Sequence, residues 1–193
     1  MKKILTPLLA GIGGVLILAA AALIAATQVS ILNHSEKNAA TLQKMLSLMP
    51  EVQDASPNDR INTDPPLLEI DGVDYFGIVE VPGYGKALPV GGSWSKKALA
   101  HHPQRFDGSI YDGSLILGGS GTKGQMDYLH KVSIGDTVTV TDVSGDRYSY
   151  TIKEIKKKRS ASTEALTSEE ADLILFARDR KALNYTLVFC DFQ

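Results

Sequence analysis

Three patterns of hydrophobic and polar residues follow one another along this chain. Residues 4–32 contain no charged side chain and are mostly Leu, Ile, Val, Ala and Gly. Residues 33–49 are polar, with apolar residues at helical spacing, and from residue 67 onward short apolar stretches alternate with turns. The patterns predict a cytoplasmic N-terminus and transmembrane anchor at 1–32, a stalk helix and linker at 33–66, and a folded domain at 67–193.

The first segment has the composition of a membrane-spanning helix. Such a helix needs about 20 apolar residues, and residues 8–26 are almost all apolar or glycine. Lys2 and Lys3 should stay in the cytoplasm, which predicts a single-pass protein of the cell membrane with an extracellular domain. The alternative is a cleaved signal peptide ending near Ala26. Because signal peptides have apolar cores of only about 7–15 residues, an uncleaved anchor is favoured.

The second segment predicts a helix followed by a linker. Leu42, Met45, Leu46 and Met49 recur at positions i, i+3, i+4 and i+7, which gives a helix one apolar face. Residues 50–66 contain prolines and Asn/Asp turn signals, which favour an extended linker. We expect the helix to act as a stalk, and its apolar face leaves a partner helix possible.

The remaining chain reads as short strands with few helices. Strict alternation at residues 137–141, a turn at Gly145 and a returning apolar pattern predict a hairpin. Thr167 and Glu170 fit a capping box, which predicts a helix through about Arg178. The other predicted elements are strands at 75–81, 87–90, 114–117 and 185–190, a helical turn at 95–100 and a short helix at 126–133. Together they indicate a mainly β domain, either a small barrel or a sandwich.

Composition narrows the possible functions. The chain has 193 residues, a length that suits one domain with an appendage. Its formal net charge of −2 gives no indication of a nucleic-acid-binding surface. The one basic run, residues 156–159, is interpreted as a solvated loop. The histidines are few and none has the Cys/His spacing of a zinc site, so we expect no metal and no cofactor. Oligomeric state is left open.

The single cysteine, Cys190, is the candidate catalytic residue. It cannot form an internal disulfide, so it is either a small buried hydrophobe or a reactive group. A reactive cysteine must be a thiolate, which requires a nearby cation such as histidine, and a tetrahedral intermediate needs an oxyanion donor. The side chains that could supply these groups are His101, His102 and His130, each more simply explained as a loop or exposed polar residue, and Arg178 and Arg180, more simply explained as charges at the C-terminus of a helix.

Six stretches resemble the sortase family, the membrane-anchored cysteine transpeptidases of Gram-positive bacteria, and they occur in the order of that family. They are residues 77–82 (its first strand), 88–90 (its second), 114–117 (the strand before its histidine), 126–136 (its short helix and Gly-Asp turn), 145–150 (its hairpin) and 186–190 (its T-L-x-T-C strand). The resemblance implies a closed, eight-stranded β-barrel preceded by a transmembrane helix.

The resemblance also implies an activity. In sortases the cysteine attacks a sorting signal of the L-P-x-T-G kind on a surface protein, and an amine on a cell-wall precursor or a pilin then takes the acyl group. Histidine handles the proton, and arginine stabilises the oxyanion or holds the signal. The implied partners are therefore a sorting-signal peptide, an amine acceptor and the membrane.

Three positions depart from this pattern. Gly119 stands where the family has its histidine, Phe189 replaces the threonine before the cysteine, and the family's arginine lies on a further strand, whereas this sequence stops at Gln193. Losing a terminal strand would leave the last strand with an unpaired edge. The expected protein is thus a degenerate or truncated sortase, inactive or severely impaired. The alternatives are a working sortase with an unusual constellation, a non-catalytic peptide- or partner-binding module, and a relic.

Two geometric expectations follow from the resemblance. The strands that carry Gly119 and Cys190 should end at the same rim of the barrel, which would place the Gly119 backbone near the sulfur. Because glycine supplies no cation, we expect the Cys190 thiol to keep an ordinary pKa near 8.5.

Overall fold

The computed structural model describes residues 16–17, 19–23, 26, 35–56, 64–85, 87–162, 166, 170–179 and 184–193. The chain divides into two compact units, Met1–His34 and Ser35–Gln193. Among the described residues, no helix combines the length and the apolar character needed to cross a membrane. Most of the predicted anchor, and positions 57–63 of the predicted linker, lie outside the described residues.

The second unit is built mainly from strands. Its described residues form β1 (Gln53–Asp54), β2 (Leu68–Ile70), β3 (Val73–Glu80), β4 (Leu88–Gly91), β5 (Gln104–Asp107), β6 (Leu115–Ser120), β7 (Thr137–Asp142), β8 (Asp146–Lys158), β9 (Leu173–Arg178) and β10 (Tyr185–Phe192). Short 3₁₀ helices occupy Ala98–Ala100 and Met126–His130, and residues 35–48 are helical.

Within the described ranges, eight of these strands close into a barrel, in the order β3, β4, β5, β6, β9, β10, β8, β7 and back to β3. The outer strands β2 and β1 extend it by pairing with β3 and β8. The predicted hairpin is present as the antiparallel pair of β7 and β8. The expectation of a mainly β barrel with few short helices is therefore confirmed.

The sheet formed by β6, β9 and β10 is buried on both faces. Leu115 and Leu117 of β6 point into the barrel core, whereas Ile116 between them belongs to a second cluster on the outer face. The same alternation holds on β9, where Leu175 points inward and Phe176 outward. Because successive side chains of a strand point to opposite faces, a strand covered on both sides needs an unbroken apolar sequence.

The predicted helix at 167–178 is wrong. Residues 167–169 lie outside the described residues, and Leu173–Arg178 form strand β9, which is parallel to β6 and antiparallel to β10. A continuous apolar run such as Leu-Ile-Leu-Phe fits a buried helix or a central strand equally well by periodicity. Pairing with a neighbour on each side decided for the strand.

The expected free edge of the last strand is also wrong. Strand β10 pairs with β8 along one side and with β9 along the other. Its backbone donors and acceptors are therefore used in two ladders, and the barrel is closed at this position.

The helix at residues 35–48 shares a core with the barrel strands. Met45 is fully buried and packs with Ile70, Tyr75 and Ile78 in one apolar cluster. Asn38 Nδ2 also donates a hydrogen bond of 2.9 Å to the His101 carbonyl. The apolar face read from the sequence thus covers β2 and β3, and residues 35–193 form a single unit. The domain limits drawn from the sequence stay predictions.

Candidate functional site

Cys190 lies inside the barrel core. Its side chain has no exposed surface and packs in the same cluster as Val188 and Tyr150. Burial, with a smaller contribution from the Asp191 carboxylate, raises the pKa of the Cys190 thiol to about 12, and Lys153 offsets this in part. The expectation of an ordinary thiol pKa is therefore wrong, because it considered only the missing cation and not the desolvation of the thiolate.

The structure does not bring Gly119 and Cys190 together. Cys190 pairs with Leu173, which pairs with Leu115 at the beginning of β6. Gly119 lies at the other end of β6, four residues and roughly 13 Å further along the strand. The reason is direction: β6 runs parallel to β9 whereas β10 runs antiparallel to it, so β10 ends where β6 begins.

Both positions face the inside of the barrel, since a Cβ on Gly119 would meet Met126 of the core that encloses Cys190. Phe189 belongs to the outer apolar cluster, and Cys190, the next residue, belongs to the inner core. The groove described below lies on the outer cluster. The prediction that Gly119 and Cys190 meet at one rim is accordingly wrong, because the two residues lie level with opposite ends of β6.

The strand that ends beside β6 at the same rim is β9. Gly119 pairs with Ala177 and Ser120 with Arg178, and the Gly121 amide donates a 3.1 Å hydrogen bond to the Arg178 carbonyl. The resemblance predicted that the strand carrying Cys190 would end at this rim. In the structure this neighbour is β9 and not β10, although the residues of β10 are the ones that resemble T-L-x-T-C.

A groove of about 580 Å³ opens on the outer face of the barrel, where β6 and β9 end. Its lining combines aromatic and small apolar residues with two cationic side chains and one hydroxyl-bearing residue of β6. The lining residues are Trp94, Lys96, Leu99, Ala100, Phe106, Gly119, Ser120, Ala161, Phe176, Arg178 and Tyr185.

Aromatic rings form the floor of this groove. The Trp94 and Phe106 rings meet edge to face with centroids 4.7 Å apart, and Phe106 meets Phe176 in the same way at 5.4 Å. Tyr185 stands beside Phe176 at 6.5 Å. Edge-to-face contacts fix ring orientations and add to the gain from burial, so the floor is preformed. Gly118 makes the close packing possible, because a Cβ there would collide with the Phe176 and Trp94 rings.

The polar groups of the groove do not form a nucleophilic constellation. The Ser120 hydroxyl shares a 2.6 Å hydrogen bond with the Thr122 hydroxyl. No thiol, imidazole or carboxylate is present among the described lining residues, so the hydroxyl has no general base there. The cations of the groove are Lys96 and Arg178, both exposed. In the described part of the chain, no group of three or more His, Cys, Asp or Glu side chains could hold a metal ion.

The other candidate residues lie elsewhere. His130 is exposed at the end of the Met126–His130 turn, and His101 is exposed after the Ala98–Ala100 turn. His102 is buried, its Nδ1 accepts a 2.7 Å hydrogen bond from Gln104 Nε2, and its ring lies 5.1 Å from the Tyr75 ring. Burial lowers the pKa of His102, which favours the neutral imidazole. Arg180 is outside the described residues.

The sequence-based prediction missed most of the residues that line the groove. It named Gly119 and Arg178, but not Phe106, Phe176 or Tyr185. One signal was available: Phe176 and Arg178 are two residues apart and share a face if this segment is a strand. Because the segment was predicted to be a helix, the shared face of these two residues was not recognised.

Comparison with solved structures finds sortases. Sortase C1 from Streptococcus suis is 21% identical, with a TM-score of 0.53 over 62% of this chain and 73% of that chain. The lid mutant of Streptococcus agalactiae sortase C1 is 18% identical, with a TM-score of 0.55 over 86% and 90%. Sortase C from Clostridium perfringens SM101 is 15% identical, with a TM-score of 0.52 over 84% and 87%.

At these identities the likeness shows the fold, so the chain has a sortase-like β-barrel. No protein-family profile and no curated protein sequence matches it.

Proposed function

We propose that this chain is a sortase-like protein that binds an extended peptide in the rim groove without cleaving it. One observation carries the proposal. The groove at the paired ends of β6 and β9 is lined by Gly119 and Arg178, while the only thiol is enclosed in the barrel core on the other side of the sheet. The scaffold of the family is retained, and the nucleophile is not at the groove.

The chemistry of transpeptidation explains why cleavage is not expected. Acyl transfer to sulfur requires a thiolate at the peptide carbonyl and an acid to protonate the leaving amine. Cys190 would have to leave a fully buried position and lose a proton whose pKa is raised to about 12. A nucleophile and its base act as a unit, so a groove without either retains little activity.

Peptide binding suits the same groove. Ligand sites are typically about 300–1,000 Å³ and mostly apolar with a few polar groups, and this groove has about 580 Å³ and an aromatic floor. By analogy with the sorting signals of sortases, the peptide would be a short extended segment of a surface protein. A closed barrel with β10 paired on both sides favours a folded, binding-competent protein over a relic.

The proposed setting is the outer face of the cell membrane. Lys2 and Lys3 precede the uncharged residues 4–32, which have the composition of a spanning helix. An anchored barrel would then meet surface proteins as they leave the membrane.

The fluorescence of Trp94 reports on the groove directly, because Trp94 is the only tryptophan and lines it. Titration with acetyl-Leu-Pro-Ala-Thr-Gly-amide should change its emission saturably. The change should weaken in Tyr185→Ala and persist in Tyr84→Ala, since Tyr84 is exposed and does not line the groove.

Mass spectrometry of the same mixtures should show intact peptide, with or without an added amine. A product that disappears in Cys190→Ala would overturn the non-catalytic assignment. A flat titration would overturn peptide binding.

A further inference from the structure

We infer that the rim groove selects peptides in which a carboxylate lies next to an apolar side chain, with Lys96 and Arg178 holding the carboxylate above the aromatic floor. This inference rests on the proposed peptide-binding function and adds the chemistry of the ligand. It is based on the positive charge of the groove and on the negative charge of the pocket beside it.

The groove is cationic. Its described lining residues include Lys96 and Arg178 and none that is acidic. Neither cation forms a salt bridge with another described side chain, whereas Lys44, Arg147, Lys153 and Lys156 do. A ligand carboxylate that enters the groove can therefore pair with two positive side chains, and no salt bridge within the described protein has to break first.

The pocket next to the groove has the opposite charge. It shares Trp94 and Phe106 with the groove, and its other described lining residues include three acids, Asp64, Asp107 and Asp112, and one cation, Arg105. A ligand carboxylate is repelled from this side of the two rings and attracted to the other. The contrast gives the ligand a direction across the floor, because like charges in an interface oppose the wrong register.

The spacing on β9 places apolar and ionic recognition together. Phe176 and Arg178 are two residues apart on one strand, so their side chains leave the same face of the sheet. Phe176 is buried in the floor and Arg178 is exposed above it. A ligand whose apolar side chain covers the floor thus brings a neighbouring carboxylate to the guanidinium, whose planar fork suits bidentate binding of that group.

The test compares two isosteric probes, acetyl-Leu-Phe-Glu-Ala-amide and acetyl-Leu-Phe-Gln-Ala-amide, by Trp94 fluorescence. We expect the Glu peptide to bind about tenfold more tightly at low salt, from two exposed ion pairs that are each weak. The advantage should shrink as ionic strength rises, because exposed charges are screened within about 10 Å at 0.1 M salt.

Three charge-neutralising variants locate the effect. Lys96→Gln and Arg178→Gln should each remove much of the preference for the Glu peptide, because they should weaken binding of the Glu peptide more than binding of the Gln peptide. Lys97→Gln is the matched control, because Lys97 is an exposed neighbour of Lys96 that does not line the groove. It should leave the preference intact.

The outcomes separate this inference from the proposed function. Equal binding of both peptides, or an equal loss in Lys97→Gln, overturns carboxylate selection and leaves peptide binding standing. Absence of any response to these probes and to the Leu-Pro-Ala-Thr-Gly peptide overturns the proposed function itself. A preference for the Glu peptide that is lost in both groove variants supports the inference.

Discussion

At the residue scale, Cys190 shows how a reactive side chain becomes part of a core. It occupies an inward position of β10 and packs with Val188 and Tyr150. Its pKa is raised from the unfolded value near 8.5 to about 12 by burial. Because the folded pKa is the higher one, the contribution of the buried thiol to stability is complete below about pH 8.5 and is lost as the pH rises towards 12.

The thiol of the native protein should resist alkylation. We expect iodoacetamide at neutral pH to label Cys190 far more slowly in the folded protein than in guanidinium, because the sulfur is inaccessible and protonated. Mass spectrometry at a series of pH values measures both rates. Native labelling as fast as that of the unfolded chain near pH 7 would show that the thiol is poised for reaction.

Gly119→His should destabilise the fold without activating the thiol. A Cβ on Gly119 would approach Met126 Cγ to 2.8 Å and its sulfur more closely, and Met126 is buried in the barrel core. Overpacking of this kind costs about 1–3 kcal/mol. Denaturant unfolding measures the loss, and alkylation of Cys190 in the folded variant should match the parent.

A double-mutant cycle provides the control for this clash. Met126→Ala removes the side chain that Gly119→His would strike, so the double variant should lose less than the sum of the two single losses. Strict additivity, or faster alkylation of Cys190 in folded Gly119→His, would contradict the described position of Gly119.

At the element scale, the helix at residues 35–48 behaves as part of the barrel unit. Met45 is fully buried against β2 and β3, whereas Leu46 is 53% exposed. Both residues belong to the apolar helical pattern, but only Met45 is buried against the strands. A helix with one face on a sheet gains most of its stability from the buried face.

This difference can be measured with two matched truncations. Met45→Ala should lower the free energy of unfolding by about 2–4 kcal/mol, because it leaves a cavity between the helix and the strands. Leu46→Ala should change it by less than about 0.5 kcal/mol. Equal effects in a denaturant titration would mean that the helix does not pack on β2 and β3.

At the scale of the whole molecule, the proposed anchor and the barrel make separable predictions. The full-length protein should stay with the membrane after carbonate extraction, and protease added to intact cells should digest the barrel. A variant that lacks residues 1–34 should be soluble, because it keeps the complete 35–193 unit. Release of the full-length protein by carbonate, or protection from external protease, would contradict the proposed location.

The amino-acid sequence by itself determined much of the architecture. Alternation and turn residues predicted β3, β4, β6, β10 and the β7–β8 hairpin close to where they occur. The number and brevity of the strands predicted a mainly β domain, either a barrel or a sandwich, and the sortase resemblance favoured the barrel. These features depend on local periodicity and on backbone preferences, which a sequence states directly.

Only the tertiary structure decided which strands are neighbours and in which direction they run. The apolar stretches that form β9 and β10 are similar in composition. No local feature of either stretch shows which one lies beside β6. Pairing across long sequence separations made β9 the neighbour, and this choice placed Arg178 at the rim and Cys190 inside the core. The groove likewise joins residues from six separate segments, and their meeting depends on barrel closure, which no single segment encodes.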